Sequence, residues 1–131
     1  MKMLIAKKST IIFVVLLIGM MLTAAKCSED VTKYAYQTLN ASQAAYNFAK
    51  SVTIDLYKSG YLNDEQKAEA IKLSKAYSDS YHAAVAALKT YETTRGDIDR
   101  GGLETALANA GKTLADLTKY LQPYIKKREG G

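Results

Sequence analysis

Ser59-Gly60-Tyr61-Leu62-Asn63-Asp64-Glu65-Gln66 is the stretch that decides the fold. Glycine has no Cβ, so Gly60 can take the left-handed conformation that ends a helix, with Tyr61 or Leu62 folding back onto its last turn. Asn63 followed three residues later by Gln66 has the pattern of a capping box. Asp64 and Glu65 then put negative charge on the positive end of a new helix. One helix therefore stops and another starts almost at once. A connection this short between two long helices forces them antiparallel.

Both flanks carry helical periodicity. Upstream, Val31, Tyr34, Ala35, Leu39, Ala45, Tyr46, Ala49, Val52 and Leu56 form one apolar face, with Lys33, Gln37, Asn40, Asn47 and Lys58 on the other side. Phe48 and Ile54 fall off this stripe, which assigns them to a third helix or a partner. Ser28 is a candidate N-cap, with Glu29 and Asp30 on the first turn, so the first helix is expected over residues 29–59. Downstream, Ala70, Ile71, Leu73, Tyr77, Tyr81, Ala84, Val85, Leu88 and Tyr91 define a second face, and Lys72, Lys75, Asp79 and Lys89 a polar side, over residues 64–94. Helices of this length reach roughly 45 Å. Ala83-Ala84-Val85-Ala86-Ala87 lets backbones approach closely.

Residues 95–102 contain three glycines and read as a loop or a weak helix start. Leu103, Leu107, Ala110, Leu114, Leu117, Leu121 and Tyr124 then alternate by four and three, a heptad seam. Gly111 weakens it by about 1 kcal/mol relative to alanine. Pro123 removes a backbone donor and is expected to end or kink the helix near Tyr120, giving a third helix over 103–122 and a fraying tail over 126–131. The seam could pack internally or zip with a second copy. Leu103, Leu107, Leu114, Leu117, Leu121 and Tyr124 are the candidate interface residues, with Leu107, Leu114 and Leu121 central. No β-branched alternating run supports a sheet. The predicted class is all-α: a long antiparallel hairpin with a third helix packed on it, a three-helix bundle over residues 26–131.

Ahead of this body stands a leader. Lys2, Lys7 and Lys8 precede residues 11–22, which carry no charge, and Thr23, Ala24 and Ala25 follow. That is the basic, apolar, small-residue order of a secretory signal. Residues 11–25 as a helix would span about 22 Å, short of a bilayer core of about 30 Å. Residues 1–25 are thus expected to be a signal peptide, cleaved before Lys26, or else an N-terminal membrane anchor helix. Either role places the chain at a bacterial inner membrane at least transiently, with the body exported, periplasmic or extracytoplasmic.

With the leader set aside, about 106 residues remain, enough for a single core. Hydrophobic residues at 48% and charged residues at 24% are globular, not disordered, proportions. Beyond Ala25 fifteen basic residues face thirteen acidic ones, so the formal charge of +5 falls to +2. The only dense basic cluster is Lys126-Lys127-Arg128. Nucleic acid is not an expected partner, because that affinity comes from a concentrated basic stripe.

Chemistry-bearing residues are sparse. His82 is the single histidine, and Asp79 three residues earlier makes a faint acidic-x-x-His element. Di-iron bundles need two such elements and further carboxylates, so no metal site is expected. All four methionines lie in the leader and no C-x-x-C-H motif occurs, which leaves no basis for haem or any other cofactor. Nucleophilic catalysis would need Ser, Thr or Cys beside a base, and His82 is the one ordinary candidate. No catalytic residues are expected. Arg95-Gly96-Asp97 spells a short integrin-recognition tripeptide of the kind that arises by chance. Among the ten tyrosines, several fall on core faces, where a phenol buries its ring and keeps its hydroxyl at a wet edge. Tyr36, Tyr57 and Tyr61 could instead present a patch to a partner or a cell-wall polymer.

Cys27 is the only cysteine and cannot form an intrachain disulfide. The order Leu22-Thr23-Ala24-Ala25-Lys26-Cys27 resembles the lipid-modified cysteine of bacterial lipoproteins, with charged Lys26 standing where a small residue is the pattern. Together the leader, Cys27, the long helix, the turn from Gly60 to Gln66 and the alanine-rich helix resemble small bacterial and prophage-encoded envelope proteins, many lipoprotein-like and of unknown function. The resemblance spans roughly residues 10–95 and transfers no functional residues. The expected role is a non-enzymatic, exported interaction or structural protein of the cell envelope that acts through apolar helix faces, self-associating or bound to a protein partner. The alternatives are a membrane-acting phage lysis or toxin-like accessory that keeps its leader, and a small-ligand carrier.

Overall fold

A computed structural model describes residues 31–130, so the leader, Cys27 and the Ser28 cap lie outside the described residues. Three helices make up the described chain: α1 (Val31–Lys58), α2 (Asp64–Thr94) and α3 (Asp97–Gly130). Among the described residues there is no strand.

The α1–α2 turn forms as its residues dictate. Gly60 sits at φ 84°. The Tyr61 amide donates to the Leu56 carbonyl at 2.9 Å and the Gly60 amide to the Tyr57 carbonyl at 3.2 Å, the paired bonds of a Schellman motif. Leu62 is buried directly behind it. The Asn63 side chain accepts from the Gln66 amide and the Gln66 side chain from the Asn63 amide, both at 2.8 Å, so the capping box closes. With the polarity reversed, Ser42 meets Tyr77 and Tyr57 meets Asp64 across the hairpin.

Of the two readings of residues 95–102, a loop or a weak helix start, the second holds from Asp97 onward, and the helix begins earlier than the expected Leu103. Arg95 takes the left-handed cap at φ 55°, its amide donating to the Tyr91 carbonyl at 2.8 Å. By Asp97 the next helix has begun, with Asp97 and Asp99 on its first turn. Gly101 and Gly102 are inside α3 because Leu103 and Leu107 behind them are buried against Val31, Leu39 and Leu88. Tertiary packing overrides a helix propensity deficit of about 1 kcal/mol per glycine.

The far end of α3 also departs from expectation. Pro123 lies within the helix, which neither stops near Tyr120 nor frays over 126–130. Ile125, one turn beyond Leu121, is buried in the same cluster as Leu56 and Leu117. Arg128 pairs with Asp55 of α1 and ties down the last turn. Burying a side chain such as Ile125 stabilises by about 1.5–3 kcal/mol, which offsets the lost proline hydrogen bond.

The core runs the length of the bundle in three contiguous clusters. Val31, Ala35, Leu39, Leu88, Leu103 and Leu107 fill the end at the α2–α3 junction. Ala45, Tyr77, Ala110 and Leu114 make the middle. Ala49, Val52, Leu56, Leu62, Leu117, Leu121 and Ile125 fill the hairpin end. α3 thus lies antiparallel to α2, in the trough of the hairpin. The second-helix face holds at Ala70, Tyr77, Ala84, Leu88 and Tyr91, but Ile71 points out to solvent.

Candidate functional site

On the side of the hairpin away from α3, the two walls stand apart and leave a groove of about 580 Å³. Ligand clefts occupy about 300–1,000 Å³. The α1 wall is Tyr46, Lys50, Thr53, Ile54, Tyr57 and Lys58. The α2 wall is Lys67, Ile71, Ser74, Lys75 and Ser78. Short side chains open the gap. Thr53 donates to the Ala49 carbonyl and Ser74 to the Ala70 carbonyl, each at 2.8 Å, so their hydroxyls fold back onto their own helices.

Helical spacing fixes its pattern. Lys50, Ile54 and Lys58 are four residues apart, as are Lys67, Ile71 and Lys75, and residues at that spacing share a face. Because α1 and α2 are antiparallel, Lys50 and Lys75 stand at one end and Lys58 and Lys67 at the other. Ile54 and Ile71 lie between them, 48% and 55% exposed. No acidic residue lines the groove. Its hairpin end is fixed by Tyr57, whose hydroxyl donates to Asp64 at 2.8 Å and whose ring lies 4.1 Å below the Lys67 ammonium. The hydrogen bond to the Asp64 carboxylate, and then its charge, raise the Tyr57 pKa.

The inner end rests on a tyrosine stack. Tyr46 lies 4.7 Å from Tyr77, and Tyr77 6.1 Å from Tyr81, ring centre to ring centre. Tyr77 is fully buried and its hydroxyl shares a 2.8 Å hydrogen bond with Ser42, which also donates to the Leu39 carbonyl. Burial pushes the Tyr77 phenol up to about 12, against the opposite pull of Ser42.

The residues singled out in the sequence fall as follows. Leu103, Leu107, Leu114, Leu117 and Leu121 are all buried inside the bundle. Tyr124 is half-buried beside Tyr120 at 5.6 Å between ring centres. Cys27 lies outside the described residues. Asp79 and His82 are exposed on α2, and His82 meets the Tyr81 ring edge-on at 5.7 Å. Among the described residues no group of three or more His, Cys, Asp or Glu is placed to hold a metal ion. Among them too, no helix is long and apolar enough to cross a membrane.

Tyr36, Tyr57 and Tyr61 do not form one patch. Tyr36 is about 31 Å from Tyr57 along α1 and donates to Glu92 at 2.8 Å, a bond that raises its pKa. Tyr61 packs on the hairpin-end cluster. Phe48 does the same, whereas Ile54, its companion off the α1 stripe, faces the groove. The four lysines were not evident as a set, because each alone reads as a solvated charge. The repeated Lys-x3-Ile-x3-Lys spacing on either side of the turn is the signal that finds them. Comparison with known proteins gives no match to a family model, a curated protein or a solved structure.

Proposed function

We propose that this chain is an exported, non-enzymatic interaction protein of the bacterial cell envelope that acts by presenting the α1–α2 groove to a partner. The observation that carries this reading is the pair Ile54 and Ile71, half-exposed side by side in a lysine-rimmed groove. The heptad seam, by contrast, is already filled within the chain. Export is supported by the order of the leader, and an interaction role by the scarcity of groups able to do chemistry. Asp79 and His82 stand exposed on α2.

A photoreactive side chain at position 54 of the full chain, produced in its own bacterium, tests the reading. A discrete adduct in the extracytoplasmic fraction, absent with the probe at exposed Thr105 of α3, is the expected result. Identical labelling from both positions would overturn it. Intact mass on the same sample reports export directly, since processing before Lys26 is expected and retention of Met1 in a membrane fraction would favour the membrane-acting alternative.

A further inference from the structure

Building on that reading, we infer that the groove receives an acidic amphipathic helix of a partner protein, its apolar ridge seated on Ile54 and Ile71 and its carboxylates on the four lysines. The shape is helical on both sides. The walls run from Tyr46 to Lys58 and from Lys67 to Ser78, about 18 Å and 17 Å at 1.5 Å per residue. α3 fills the opposite trough, so a helix laid here completes a four-helix bundle, with ridge side chains entering a groove as in other helix-in-groove docking.

Charge selects among the occupants of such a groove. Cations stand at both ends and no acid lines the walls. Along each wall the lysines are eight residues apart, about 12 Å, so acidic residues seven or eight apart on a docked helix meet both ends at once. A single-headed amphiphile would engage one end and leave the other pair of lysines without a counter-charge. A second copy of this face would set four lysines against four. The leader brings Lys2, Lys7 and Lys8, of the wrong sign. A flat bilayer surface does not reach the floor of a concave groove. The other large exposed side chains do not compete: Tyr36 is held by Glu92, and Ile98 stands alone at the start of α3.

The test is fluorescence anisotropy with the full chain and a labelled, capped peptide of about 18 residues, long enough to hold helix once docked. It carries leucines at three- and four-residue spacing and glutamates flanking them. Controls are the same composition scrambled, and lysine in place of glutamate. The ridge peptide is expected to bind at least tenfold tighter than the scrambled one, to weaken as salt rises, and to ignore the lysine version. Lys58→Glu with Lys67→Glu, and separately Ile54→Ser, should each cost tenfold or more with helical circular dichroism unchanged. Equal binding of ridge and scrambled peptides, or no loss in the variants, would overturn the inference. So would dodecanoate or phosphatidylglycerol vesicles binding where the ridge peptide does not. A position-54 adduct that persists alongside such a failure would leave the interaction reading standing and remove only the helical partner; loss of the adduct as well would remove both.

Discussion

Tyr77 is a fully buried phenol in the middle of the bundle. Its ring is enclosed between Tyr46 and Tyr81 and its hydroxyl bonds to Ser42. Burial raises its pKa to about 12 from an ordinary 10.0. The folded state therefore holds the proton where the unfolded chain releases it. The associated stability is full below pH 10 and is lost as pH rises toward 12, to the extent of about 2 kcal/mol. Tyr77→Phe gives up the hydrogen bond, worth about 1 kcal/mol at neutral pH, but has no phenol to ionise. Urea unfolding at pH 8 should rank the variant below the parent, and the two curves should converge and cross between pH 10 and 12. Tyr120, also raised to about 12 by burial and then by Tyr124, is common to both proteins and cancels in the comparison. A gap that stays constant with pH would show that Tyr77 ionises as freely folded as unfolded. The sequence placed Tyr77 on a core face, but nothing in it singled out Ser42. A serine at that position is polar by type, and only the tyrosine crossing from α2 gives it a buried partner.

Element boundaries were legible where local chemistry sets them and not where packing does. The α1–α2 turn is local, since Gly60, Asn63 and Gln66 satisfy backbone groups within a few residues of themselves, and it forms as read. The start of α3 is not. Glycine weakens a helix by leaving the unfolded chain more freedom, and residues 95–102 read alone give a loop or at most a weak helix start. Leu103 and Leu107, anchored on α1 and α2, draw the helix back through Gly101 and Gly102. A Cβ added at either glycine meets nothing within 4 Å. Alanine there is helical without a clash, so Gly101→Ala and Gly102→Ala should each stabilise by about 0.5–1 kcal/mol. Thermal melts of the single and double variants check this, with rising midpoints expected. An unchanged or lower midpoint would mean that the first turns of α3 are not helical in solution. The seam itself shows a related effect. Its strict heptad named Tyr124, yet Ile125 and Thr118 are the buried neighbours, because a straight helix drifts about 20° per heptad from a 3.5-residue repeat.

For the whole molecule, the open question is whether three core clusters strung along a slender bundle behave as one cooperative unit. The ends are built from leucines, while the middle rests on Ala45, Tyr77, Ala110 and Leu114. Leu114 is the one large aliphatic side chain there, and it is fully buried. Removing it leaves a cavity between ends that are themselves well packed, at a cost of about 2–5 kcal/mol. A domain of this size has about 5–15 kcal/mol in total, so the bundle should survive Leu114→Ala with a much lower unfolding midpoint. Native-state hydrogen exchange then separates two architectures. If the bundle is one unit, the slowest amides near Leu39 and those near Leu56 should lose protection equally. Each of the three helices runs unbroken through the middle and contributes to all three clusters, so equal loss is the expected result. Loss confined to one end would make the middle a hinge. It would also mean that the hairpin half holding the Ile54–Ile71 groove folds and opens independently of the junction half, and the groove's shape would then depend on that half alone.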